Sequence, residues 1–333
     1  MSKSKAGQIG YVGIDVGGRR LVVALSSDGL VLEEYDNTAA GLEQLRQRVR
    51  QLGGVVKVVI EASGTYSLDV ALLLARMGSG VEVHVANPRR VRRFAESLGQ
   101  RSQTDPVDAR MLCQYGQRMP WVSWQPSAAA LRLRALTRTI AALVRLCTQH
   151  KNRQHALAAS RALPACLVRE LGAQAHYTEK RIAKLRQQAL RVIAAEPELA
   201  RRFQHLLSTP GLGESSALAV LSELAVLPAS LDERQWVAHA GLDPKHHESG
   251  SSVLQKPRIS KAGNAYLRSA LYMPALVAVQ HDPALRAFYQ RLLDRGKAKL
   301  QALVAVMRKL LHAAWGMFRH DQPYDGAKLC PQS

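Results

Sequence analysis

Aromatic and acidic residues are both scarce in this chain. Phe, Trp and Tyr together make up 5% of its 333 residues, and 26 Asp and Glu face 46 Lys and Arg, a formal charge of +20. So few rings argue against extensive base stacking as a mode of recognition. The cationic excess points to a polyanion as partner, because Lys and Arg displace the counterions condensed on phosphates. Also missing is any apolar run of about 18 residues that could span a bilayer, and the opening "MSKSKAGQIG" lacks the apolar core of a signal peptide. An intracellular protein, cytoplasmic and nucleoid-associated, is therefore expected, with nucleic acid and not a membrane as its partner. The four cysteines, Cys113, Cys147, Cys166 and Cys330, include no close pair. That excludes a disulfide framework and a cysteine-ligated zinc site and leaves reduced thiols, most of them buried.

A chain of this length divides into two or three domains. Over residues 9–120 strand and helix signals alternate. "IGYVGIDVGGRRLVVALSSDGLVLEEYDN" reads as three strands, its β-branched runs separated by the turn clusters "GGRR" and "SSDG". Leu42, Leu45, Val49 and Leu52 then fall at helical spacing before a Gly pair, followed by the strand "VVKVVIE", the helix "SLDVALLLARMG" and the strand "VEVHVAN". A meander followed by alternating helices and strands is the order of a ribonuclease-H-like α/β sheet. A doubly wound nucleotide-binding sheet competes, but it needs a βαβ start and a phosphate loop, and here "DVGG" leads into another strand.

Residues 121–205 lose the strand signal. Leu136, Ile140, Leu143 and Cys147, and again Ile182, Leu185, Ala189 and Val192, step by threes and fours, so two long helices should pair antiparallel along a coiled-coil-like seam. This section carries 15 Lys and Arg against 4 Asp and Glu, a net of +11. A solvated coil normally mixes its signs, so nucleic-acid contact is the better reading, with dimerisation through the seam compatible. Residues 206–333 read as mostly helical, with one irregular stretch between about Gly241 and Lys261.

Two acids sit where apolar residues are expected. Asp15 interrupts the buried run "IGYVGIDVGG", and Glu61 ends "VVKVVIE"; a lone carboxylate in a sheet core is costly unless paired, hydrogen-bonded or bound to a cation. In "TDPVDA", Asp105 at the N-cap, Pro106 at the first helical position and Asp108 in the first turn make an ordinary helix start. The same spacing sets Asp105 and Asp108 on one helix face. If that helix begins beside the strand ends, four carboxylates converge. They could then hold two Mg²⁺ ions about 3.5–4 Å apart for in-line displacement at phosphorus.

Five segments, "GIDVGG", "IEASGTY", "TDPVDARML", "STPGLGESSALAVL" and "HAGLDPKHHESGSSV…ISKAGNAYLRSALY", resemble in order those of the DEDD transposases of the insertion-sequence one-ten family, relatives of the Piv invertases and bridge-RNA-guided recombinases. The resemblance runs from about Ile9 to the C-terminus. It implies a RuvC-like ribonuclease-H domain at 9–120, a coiled-coil section at 121–205 and a C-terminal transposase domain at 206–333. It maps an acidic tetrad to Asp15, Glu61, Asp105 and Asp108, and a serine nucleophile to Ser249, although "ESGSS" with Ser251 and Ser252 is also an ordinary turn cluster. The partners it implies are donor and target DNA duplexes, a structured noncoding guide RNA and further copies of the chain, as a dimer or tetramer.

Phosphate contacts are expected from Arg89, Arg90, Arg92 and Arg93 beside the tetrad and from Lys256, Arg258 and Lys261 beside the serine. Gly211 and Gly213 resemble a helix-hairpin-helix grip, although a Pro-Gly turn before an apolar helix is also a plain helix start. Two other functions stay open on the residues alone. One is a RuvC-like nuclease in which water attacks directly; the other is a non-catalytic binding protein whose acids cap helices.

Overall fold

In a computed structural model of the chain, residues 9–26, 30–62, 64–78, 80–160, 164–249 and 253–329 are described. The chain divides at Gln125 into two units, Met1–Gln125 and Pro126–Ser333. The first unit starts with the expected meander, β1 (Ile9–Val16), β2 (Arg20–Ser26) and β3 (Leu30–Asp36). Helix α1 (Ala39–Gln51) leads to β4 (Val55–Glu61), and α2 (Thr65–Ala75) to β5 (Val81–Ala86). Two helices close the unit, α3 (Pro88–Ser97) and α4 (Asp105–Arg118). The sheet order is β3-β2-β1-β4-β5, antiparallel through the meander and parallel from β1 to β4 to β5. This is a ribonuclease-H-like sheet, in which the two central strands are the ones that carry Asp15 and Glu61.

Alternation along the strands decides what each face meets. Val12, Ile14, Leu21, Val23, Leu25, Val58 and Ile60 are fully buried, as are Leu45 of α1 and Val70 and Leu74 of α2, which cover that face. The opposite face of β1 presents Tyr11, Gly13 and Asp15 and receives α4. The start of α4 differs by one residue from the expectation. Thr104, in extended conformation, is the N-cap and Asp105 is the first helical residue. No side-chain cap hydrogen bond forms at that end. An acid inside the first turn still meets the positive end of the helix, but its oxygens are left free of capping duty.

The second unit opens with two long helices, α5 (Ala128–Ala158) and α6 (Ala165–Ala194). They run antiparallel: Cys147 Sγ donates to the Ala175 carbonyl, and Gly172 faces Gln154. The seam residues Ile140, Leu143, Cys147 and Ala189 are buried. Beyond them follow α7 (Pro197–Leu207), α8 (Glu214–Leu224) and α9 (Glu233–Ala240). Next come the strands β6 (Pro244–Ser249) and β7 (Val253–Ile259), then α10 (Ala265–His281), α11 (Pro283–Asp294), α12 (Lys299–His320) and the short α13 (Gly326–Leu329). The sections read from the sequence as 121–205 and 206–333 share one core. It holds Leu133, Ile193, Phe203, Leu221, Leu271 and Leu310 together. No described helix is long and apolar enough to cross a membrane.

The stretch expected to be irregular is instead an antiparallel hairpin, β6 with β7, in register from Pro244–Ile259 to Ser249–Val253 with a bulge between Lys245 and His247. Its strands are polar and Pro257 interrupts one of them, so neither alternation nor β-branched enrichment marks them in the sequence.

Candidate active site

The carboxylates are brought together by a glycine. Gly13 and Asp15 point to the same face of β1, two residues apart. A Cβ on Gly13 would stand 2.2 Å from the Ala109 carbonyl oxygen and 2.2 Å from the Cys113 nitrogen, so α4 lies with its backbone directly on the strand. Cys113 Sγ donates to the Tyr11 carbonyl at 3.4 Å, which fixes the helix as antiparallel to β1. Towards the start of the helix, Asp108 directly precedes Ala109 and Asp105 lies one turn away, and one step along β1 from Gly13 on the same face is Asp15. Ile14 pairs with Ile60 in the parallel ladder, so Asp15 and Glu61 follow side by side at the carboxyl ends of their strands.

The electrostatics reflect that convergence. Burial pushes the Asp15 carboxyl up to about 6, with further increments from the charges of Asp105 and Asp108. Burial, then Asp15 and Asp108, raise Glu61; burial, then Asp105, raise Asp108. No ion-pair partner accompanies any of the four among the described residues. Like charges crowd here without a protein cation to offset them, which is the environment of a cation site and the reverse of a structural salt bridge. Eight carboxylate oxygens are a hard donor set, suited to divalent Mg or Mn and unsuited to soft metals. Among the described residues no three acidic, His or Cys side chains already stand close enough together to hold an ion. The acids face one another in an open arrangement.

A groove of about 810 Å³ leads from these acids along α3. Glu61 and Asp108 line one part of it, and Arg89, Arg92, Arg101 and Gln103 another. Of the four arginines expected to grip phosphate, all on the exposed surface of α3, Arg89 and Arg92 thus share a groove with the acids, and Arg92 also pairs with Glu96 at 3.2 Å. Arg90 turns to the Tyr115 hydroxyl. Arg101 and Gln103 were not singled out in the sequence; their signal is their place between the arginine helix and Asp105.

Family models match over this geometry and again in the second unit. One described as "Transposase", the DEDD type, covers residues 12–160, and "Transposase IS116/IS110/IS902 family" covers residues 203–290. The pilin gene-inverting protein of Moraxella bovis is 32% identical over 271 residues, 80% of this chain and 81% of its own. The chain belongs to the IS110/IS116/IS902 transposase family. It is accordingly an enzyme of DNA transposition and recombination, and divalent metal use goes with its DEDD domain. The corresponding protein of Moraxella lacunata is 31% identical over the same length, and the transposase of insertion sequence IS1111A from Coxiella burnetii is 27% identical over 141 residues, 41% of this chain and 38% of its own.

In the transposase, the remaining expected residues lie in the second unit. Ser249 is the last residue of β6, opposite Val253. Ser251 and Ser252 lie outside the described residues. Lys256 lies on β7, Arg258 on the same strand is exposed and pairs across the ladder with Lys245, and exposed Lys261 follows in left-handed conformation at φ 51°. The two glycines of the α7–α8 turn differ. Gly211, at φ 89°, stands where a Cβ would meet the Pro274 carbonyl at 2.5 Å, so it seats the turn against α10. Gly213 is exposed, caps α8 without a side chain and has open space around it. Sequence reading also passed over Glu223, buried in the apolar α8 and ion-paired with Arg138 of α5. Its signal was a single acid within "ALAVLSEL".

Proposed function

We propose that the chain is an RNA-guided DNA recombinase of a mobile element, which cleaves and rejoins DNA through Ser249 with Mg²⁺ at the acidic tetrad. The observation that carries this reading is the convergence of Asp15, Glu61, Asp105 and Asp108 without a protein cation. These four would hold the metal. Bound there, Mg²⁺ would neutralise charge on the phosphoryl oxygens. Asp15 and Glu61 are carried by the adjacent strands β1 and β4 and Asp105 and Asp108 by α4, so the backbone brings the four acids to one place and their side chains would close on the ion as it binds.

Attack by the Ser249 oxygen on a DNA phosphodiester forms a Ser–O–P bond, breaks the P–O bond to one strand end, and transfers a proton from the serine hydroxyl to the departing oxygen. The phosphoserine link conserves the bond energy, and a second strand end reverses the step without ATP. Support for Ser249 comes from the family segment that spans it and from its place at the end of β6, in a hairpin whose base carries exposed Arg258 and Lys261. A basic α5–α6 pair, whose Arg132, Arg145, Arg153, Arg181 and Lys184 are all exposed, supports backbone contact with nucleic acid. A chain poor in aromatics grips backbones, and sequence choice then falls to base pairing with a guide. Strand exchange between two duplexes needs several such centres, hence a dimer or tetramer.

The test is a denaturing gel of wild type and Ser249→Ala with DNA spanning the element's own ends, its neighbouring noncoding RNA and Mg²⁺. A covalent protein–DNA adduct present only in the wild type, and dependent on the RNA, is expected. Free-ended nicks from both proteins would overturn the serine mechanism and leave a RuvC-like nuclease acting through water.

A further inference from the structure

A carboxylate buried in an apolar helix is costly unless its oxygens are fully engaged. Glu223 is 2% exposed, and both oxygens are engaged. Arg138 of α5 donates from Nε to Oε1 at 2.7 Å and from Nη2 to Oε2 at 2.9 Å, a two-pronged contact that fixes orientation as well as distance. Asn264 Nδ2 donates to Oε2 at 2.7 Å. Beside this pair Thr137 donates to Ser222 Oγ at 2.7 Å, so α5 and α8 are tied at two successive residues.

Asn264 is the pivot. Its Oδ1 accepts from the Tyr266 and Leu267 nitrogens and so caps α10, while its own N–H donates to the His239 carbonyl at the end of α9 at 2.6 Å. The two ends of the β6–β7 hairpin are fastened to the same point. Ser260 Oγ donates to Asp243 Oδ1 at 2.5 Å, the Lys261 N–H donates to the Gly241 carbonyl at 3.1 Å, and a Cβ on Gly263 would stand 2.0 Å from the His239 carbonyl oxygen. Between the paired strands and Asn264, then, the chain is held step by step. On its other side the Arg138 guanidinium lies over the Tyr266 ring at 4.7 Å.

We infer that Glu223, with Arg138 and Asn264, is a positioning lock that fixes the base of the serine hairpin to helix α5. Its catalytic purpose rests on the proposed role of Ser249; its mechanical role does not. Directional hydrogen bonds hold one orientation, whereas apolar side chains of similar volume would hold the helices together without fixing the return of the hairpin.

The experiment compares wild type, Glu223→Gln and the apolar pair Arg138→Met with Glu223→Leu, in the full chain, by amide hydrogen exchange over residues 244–264, by melting temperature, by DNA affinity and by single-turnover adduct formation. The apolar pair keeps the fold stable where a merely structural salt bridge is at issue. Expected are faster exchange confined to the hairpin and its return segment in both variants, a wild-type melting temperature for the apolar pair, unchanged DNA affinity, and adduct formation slowed on the order of 10²-fold. Hairpin exchange identical to wild type in both variants would overturn the lock, as would accelerated exchange with adduct formation at the wild-type rate. Should the wild type form no adduct while hairpin exchange accelerates in the variants, the Ser249 reading falls and the lock stands as a mechanical device.

Discussion

The two units handle buried negative charge in opposite ways. In the first, Asp15, Glu61 and Asp108 are raised by burial and by one another, and no protein cation offsets them. In the second, Glu223 is more deeply buried, yet a guanidinium and an amide engage it fully. Sequence context is similar for Asp15 and Glu223, since each interrupts an apolar element. The difference shows that burial alone does not distinguish a site from a support: satisfaction does. An acid with all its partners inside the fold holds structure, and a group of acids lacking them is arranged for something from outside.

Removing one acid from each unit is the sharpest way to break this comparison. Asp108→Ala should lower metal-dependent DNA cleavage on the order of 10³-fold, equivalent to about 4 kcal/mol of transition-state stabilisation, with DNA binding kept. A variant cleaving at the wild-type rate would detach the tetrad from the chemistry. Glu223→Leu alone should act on the fold, costing about 3 kcal/mol because Arg138 is left without its partner; the side chain of Arg138 is 40% exposed, which keeps the cost at the lower end for a broken buried pair. Urea unfolding measures it, and a cost under about 0.5 kcal/mol, the scale of an ordinary surface substitution, would show that Glu223 is not the support described.

Gly13→Ala tests how the first site is built. The added methyl meets two backbone atoms of α4 at 2.2 Å, so the helix must lift from β1 or the strand must bend. Overpacking of this kind costs about 1–3 kcal/mol. Because Asp105 and Asp108 ride on the same helix, cleavage should fall further than the loss of folded protein explains. Activity that simply tracks the folded fraction would mean that the acids are placed by some other contact.

Much of the first unit was legible because its signals are local. β-branched runs and turn clusters gave the meander, and Asp15 and Glu61 stood out as charges in strands that should be apolar. Asp105 and Asp108 were legible as a pair by their spacing, but their N-cap assignment was off by one residue, since either Thr104 or Asp105 can cap. The need for Gly13 was hidden, because the helix that presses on it lies almost a hundred residues later in the chain. The same holds for Glu223, whose partners Arg138 and Asn264 are 85 and 41 residues away. The β6–β7 hairpin escaped notice because "PKHHES" and "VLQKPRI" have neither alternation nor β-branched enrichment. It is held by its ladder and by the bonds at its base, which only the tertiary fold supplies.

The smallest expected effect carries the comparison into stability. In metal-free buffer, Asp15→Asn should stabilise the protein, the opposite sign to the change at Glu223. The folded protein holds the Asp15 proton up to about pH 6, against 3.8 for an ordinary aspartate. The stability this confers is full below about pH 4 and is lost as pH rises through about 6, once the ionised carboxylate has to be accommodated beside Asp105 and Asp108. That difference corresponds to about 3 kcal/mol, and solvent screening of this half-buried group reduces it to about 1–2 kcal/mol. Melts in chelator should therefore show the variant and the wild type alike at pH 4 and the variant ahead at pH 7.5. Saturating Mg²⁺ should reverse the order at pH 7.5, because an ion that binds only the folded wild-type tetrad adds its binding free energy to that protein alone. Equal melting at every pH, with or without the ion, would mean that the four acids do not share a field, and the contrast between the two units would dissolve.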